Sequence, residues 1–152
     1  MPDPAYHPWW QATDPPVLDA GMRTIDIDVI RVTLHVLAAT IWVGGQIILA
    51  AVIGPLRRAA PEGVIPVARA YAWVAWPAFA VLILTGFWSM TASGLMADPA
   101  SRTTLLFKMA LALLSGLGAA VHTLAKSYAL KGIGGAIGLF CALAALLLGV
   151  TL

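Results

Sequence analysis

Five side chains in this apolar sequence have the chemistry to bind something: the imidazoles of His35 and His122, the amine of Lys108, and the thioethers of Met90 and Met109. Soft metal ions take Cys, Met or His ligands. A haem takes one or two axial ligands, most often His, in an apolar cleft between helices. With Met96 on the same outer half and His7 and Met22 in the tail, the set His35, Met90 and Met109 would suit Cu(I) better than zinc, although the sequence has no MxxM or paired-His spacing. For haem, His35 could supply one ligand and His122 a ligand to a separate group. No nucleophile stands beside a base, which argues against a hydrolase. The single Cys141 lies in an apolar run and offers neither a disulfide framework nor a CxxC site, so it reads as a packing residue.

Spacing groups these side chains. At 100° per residue, Arg31, His35, Trp42 and Gln46 project within about 40° of one another, and Gly44 projects opposite His35. The same arithmetic puts Thr104, Lys108, Ser115, Ala119, His122 and Lys126 on one stripe of a later helix. A charge at the centre of a bilayer costs at least about 2.5–3.5 kcal/mol, so both stripes should face a bundle interior, and each other. His35 and Lys108 each lie about five residues into a span that runs the same way, which puts them at one depth, roughly 7–8 Å below the outer edge. His122 lies about 21 Å lower and belongs to the inner end, as the anchor of a second centre or as a cap on the helix. Lys108 has the alternative of snorkelling to the outer headgroups. Trp42 reads first as packing, and Gln46 as an interhelical hydrogen bond worth about 0.6–2 kcal/mol.

The elements that must hold these stripes are membrane spans. Hydrophobic residues make up 61% of the 152 and charged residues 11%, against roughly 45–50% and 25% in soluble domains. Four segments are long and apolar enough to cross a bilayer: about 30–54, 68–91, 103–126 and 132–152. Gly54-Pro55 before Arg57 and Arg58 predicts the end of the first, and a turn of about five residues makes the last two antiparallel neighbours. Arg57, Arg58, Arg69, Lys126 and Lys131 crowd the loops on one side, while Asp3, Asp14, Asp19, Asp26, Asp28 and Asp98 crowd the other. The positive-inside rule then predicts an all-α, integral membrane four-helix bundle with both termini on the outer (periplasmic or extracellular) side.

Residues 1–29 form an acidic, Pro- and Trp-rich outer tail without the basic start of a signal peptide; it reads as an interfacial anchor or a docking strap for a partner protein. Lipid is the expected surrounding of residues 30–152, and nothing supports nucleic-acid binding. Gly134 and Gly138 form a GxxxG spacing on the fourth helix that pairs more readily with Gly116, Gly118 and Ala119 of the third than with a second copy. Pro77 predicts a kink in the second helix, whose Tyr71, Thr85 and Ser89 could line the interior; Trp73, Trp76 and Trp88 read first as interface residues.

"LHVLAATIWVGG" (34–45), "VARAYAWVAWPAFAVLILTGFW" (67–88) and "TTLLFKMALALL" (103–114) together resemble the copper resistance protein D family of membrane proteins. The resemblance points to His35, Trp42, Gly44, Gly45 and Lys108, and implies copper handling, commonly uptake, in a bacterial inner membrane. The same His-then-Lys layout is also similar, more weakly, to the four-helix protoporphyrinogen oxidase family, which binds haem b. The leading expectation is therefore a Cu(I) site of His35 with Met90 or Met109. The second is a haem b protein for electron transfer or porphyrin oxidation, with Lys108 meeting a propionate. The third is an accessory subunit of a larger membrane complex.

Overall fold

The computed structural model describes residues 26–150, all of whose regular elements are helical. The first span is one continuous rod, Ile27–Ala59, built from α1 (Ile27–Ala39), a π turn (Thr40–Gly44) and α2 (Gly45–Ala59). A short 3-10 turn, Pro61–Gly63, leads into α3 (Val64–Ala92), and a second, Leu95–Ala97, leads into α4 (Pro99–Leu124). After a bend at 125–127, α5 (Tyr128–Val150) completes four helices long and apolar enough to span a membrane. The chain is an all-α, four-helix membrane bundle.

Local chemistry explains the ends. Asp26 caps α1 by accepting from the Ile27 amide, and Asp98 caps α4 by accepting from the Ser101 amide at 2.7 Å, with Pro99 in the first turn where its missing N–H costs nothing. That hydrogen bond holds the exposed Asp98 carboxyl below the usual carboxylate range. Gly94 closes α3 in the left-handed region (φ 68°), which a side chain would disfavour. The first span does not stop at Gly54-Pro55: the helix runs through Pro55 to Ala59. One lost ladder bond is tolerated in a span when its surroundings re-satisfy the carbonyl, and Arg57 and Arg58 in the last turn favour the negative end of the helix dipole. Likewise α3 continues through Pro77.

Packing divides the bundle into two helical pairs. The first span packs along α3, and α4 packs along α5, while the pairs meet mainly where α3 approaches α4 and where α5 touches the π turn. Small residues set the second pair's spacing: a Cβ on Gly118 would stand 2.6 Å from the Gly138 amide nitrogen and 2.7 Å from the Gly134 carbonyl oxygen. The Gly134/Gly138 spacing is thus consumed inside the chain. Within the first pair, Trp42 stacks against Phe79 (ring centroids 4.4 Å apart) and Trp76 (5.6 Å) of α3; between the pairs, Gly116 of α4 leaves the room that Phe79 fills.

Gly118→Ala should lower the unfolding free energy in detergent by about 1–3 kcal/mol, since backbone rather than a flexible side chain must yield. Gly132→Ala on the same hairpin meets nothing within 4 Å and should be neutral or slightly stabilising. Thermal unfolding of the two variants followed by circular dichroism checks the contrast.

Candidate functional site

The site begins with His35, on the ninth residue of α1 and half-buried. Its Nδ1 lies 2.9 Å from Thr85 Oγ1 of α3. The Thr85 hydroxyl is itself a donor to the Val81 carbonyl at 2.7 Å, with the Leu82 carbonyl at 3.2 Å. A hydroxyl has one proton, so with that proton on a carbonyl it can only accept from the imidazole. The chain of bonds therefore calls for a proton on His35 Nδ1, and in the neutral ring that tautomer leaves the lone pair on Nε2. This is the arrangement by which a ligating imidazole is oriented: one nitrogen held from behind, the other presented.

In front of the ring, between the two helical pairs, lies a cavity of about 570 Å³ with contributions from all four spans. His35 and Lys108 both line it, as do Met90 and Met109. A Cβ on Gly86 would stand 3.4 Å from His35 Cε1 and 3.7 Å from Met109 Cε, so the imidazole and the thioether side chain meet over that glycine. Lys108, ten residues into α4, leans toward the end of α5, where a Cβ on Gly149 would be 2.8 Å from its Nζ. The other polar lining residues are Thr40, Ser89 and Ser115, and among the described residues no carboxylate lines the cavity. The space is largely apolar and net positive whenever the Lys108 amine is protonated.

Behind the cavity floor Trp42 donates its Nε1–H to Ser115 Oγ at 3.0 Å, and Tyr71 donates its hydroxyl to the Trp42 carbonyl at 3.1 Å. Ser115 is 1% exposed, so this bond joins the two helical pairs out of reach of any competing solvent. A Cβ on Gly45 would collide with the Tyr71 ring, which explains that glycine next to the motif tryptophan.

The π turn changes which residues share the His35 face. A π turn inserts one residue into the helical count, so every later residue is rotated by about 100° relative to a straight α-helix. Gly44, expected opposite His35, lines the cavity instead, together with Ile47, while Gln46 does not. Gln46 is half-buried, with its Nε2 shielded and without a hydrogen-bond partner. Val43 and Ile47 have no place on the straight-helix stripe for this reason, and Gly44, to which the family resemblance points, is placed opposite it; the string "TIWVG" has no residue type that announces a π turn.

Other expected residues lie elsewhere. His122 is exposed at the opposite end of α4, where its Nδ1 donates to the Lys131 carbonyl at 2.7 Å across the hairpin bend; it does not reach the cavity. Arg31, 8% exposed, lies one turn beyond His35 with its guanidinium over Trp88 (5.8 Å). Its Nη1 is 3.1 Å from Asp28 Oδ1, an ion pair too misaligned to count as a hydrogen bond, and its Nε has no partner. Among the described residues no group of three or more His, Cys, Asp or Glu is placed to hold a metal ion. The expected anchor or strap role of the tail falls mostly on residues 1–25, outside the described residues. Compared with known proteins, the chain matches no protein-family model, no curated protein and no solved structure.

Trp42→Phe and Ser115→Ala should each destabilise the bundle, by about 1–3 kcal/mol where a buried partner is left unpaired. The double variant should cost less than the sum of the two, with a coupling of about 0.5–2 kcal/mol read from a double-mutant cycle of unfolding in detergent.

Proposed function

We propose that the cavity between the helical pairs binds haem b, with His35 Nε2 as an axial ligand, and that the protein works in electron transfer or porphyrin oxidation within the membrane. The observation that carries this reading is the Thr85-held His35 imidazole facing an apolar cavity of about 570 Å³. That volume falls in the range of about 300–1,000 Å³ for small-molecule and cofactor pockets and far exceeds what a bare ion needs. The donor set fits as well. One neutral imidazole provides the iron ligand, and Lys108 provides a cation for a propionate carboxylate, which a largely apolar cavity without carboxylates otherwise lacks. Bound there, the group would supply one-electron chemistry. The chain's own residues hold the imidazole tautomer, exclude water and balance charge.

A second reading is favoured by Met90 and Met109 standing on the walls that hold His35. Two thioethers and an imidazole are a ligand set for Cu(I), in keeping with the resemblance to the copper resistance protein D family. What weighs against it is charge: a protonated Lys108 amine lining the same cavity would repel a cuprous ion. The same amine attracts a haem carboxylate.

Protein purified in mild detergent should show a Soret band after incubation with haemin, together with stoichiometric iron. His35→Ala should abolish the band, and Thr85→Val, which unseats the ring without removing it, should weaken haem affinity about 10–100-fold. Met90→Leu and Met109→Leu should leave it nearly unchanged. Stoichiometric copper lost in the two methionine variants, with no Soret band in any sample, would overturn haem in favour of Cu(I).

A further inference from the structure

The residues around the cavity are not equally covered. Those contributed by α3 and α4 are all buried or half-buried. The exposed ones are Val36, Thr40 and Ile47 on the first span and Leu146 and Val150 on α5. The four large apolar side chains among them are between 47% and 82% exposed. They come from the two elements whose main chains approach at the π turn rather than along their length. The cavity therefore opens sideways, between the first span and α5, on the surface where acyl chains lie, in the half of the bundle that carries the start of α1 and the end of α5. Backbone exposed in such an opening is already paired within helices, so a gap between helices costs the bilayer no unsatisfied groups. Its rim is apolar apart from the Thr40 hydroxyl, which donates to the Val36 carbonyl and so presents no unpaired donor.

We propose that this gap is a loading slot through which a bilayer-dissolved amphiphile, rather than a water-borne ligand, reaches His35: an apolar body slides between Ile47 and Leu146 while its polar end meets Lys108. The identity of that amphiphile as haem rests on the function proposed above; the slot does not. Two measurements test it. In the first, the full chain carrying Cys141→Ala and Ala112→Cys is labelled with bimane inside the cavity and reconstituted into nanodiscs containing phospholipid with a nitroxide partway down one acyl chain. The bimane should be quenched, and adding Ile47→Trp and Leu146→Trp should reduce that quenching at least about threefold. Quenching by aqueous iodide but not by the lipid nitroxide, or equal lipid quenching with the slot plugged, overturns the proposal. In the second, the rate of haem uptake from haem-loaded vesicles, relative to the rate for the same protein loaded from detergent, should fall at least about tenfold in the plugged variant. If the unplugged protein takes up no haem, the haem reading fails, and the bimane result still decides the slot.

Discussion

Trp42 is the side chain on which the arrangement of the bundle depends, because the two helical pairs have little else to hold them in register. In lipid the apolar surfaces of the pairs gain nothing by leaving water, so their association must come from close packing and from hydrogen bonds that hydrocarbon cannot offer. Trp42 supplies the hydrogen bond, from its Nε1–H to Ser115, and the Phe79 ring on which it stacks supplies the packing by filling the room left at Gly116 of the other pair. Tyr71, from α3, fixes the Trp42 main chain from the other side, so one residue of the first span is tied to both α3 and α4. The pairs are pinned there, and the cavity lies between them on the side of Trp42 that carries His35.

The π turn belongs to the same device. An uninterrupted α-helix that placed His35 toward α3 would put Trp42 and Gln46 on one stripe and leave Gly44 facing away. One inserted residue lets Trp42 meet Ser115 while rotating Gly44 and Ile47 toward the cavity. A small residue and an aliphatic one then face the apolar space, where Gln46 would have brought an amide that nothing on the walls is placed to satisfy. Mid-helix π turns are found at functional sites because they re-aim side chains in this way.

What the sequence made legible follows from the scale of the energies involved. The cost of a charge in hydrocarbon exceeds any local preference, so the four spans and the inward placement of His35, Lys108, Thr85 and Ser115 could be read from hydropathy and helical period. The Gly134/Gly138 contact was readable because only glycine permits backbone approach that close. Effects near 1 kcal/mol were not. The π turn, the passage of α2 through Pro55 and the seating of Arg31 over Trp88 depend on tertiary partners with no periodic trace in the chain. His122 shows the same limit from another direction: it shares a helical stripe with Lys108, but its nitrogen is taken by the Lys131 carbonyl at the bend.

The electrostatics of the cavity constrain its ligand more tightly than its shape does. Thr85 holds a proton on His35 Nδ1, so the ring in its neutral form offers the cavity a lone pair at Nε2, while Lys108 brings a cation to walls whose described residues include no carboxylate. A ligand that satisfies both must accept electron density from a base and hydrogen bonds from an ammonium, and must be apolar over the remaining surface. A bare cation meets the first demand and violates the second; a simple anion meets the second and leaves the imidazole unused. Under the proposed haem reading, a metal centre carried by a flat, apolar, carboxylate-bearing ring would meet both, so the amine of Lys108 weighs as much in that proposal as the imidazole of His35.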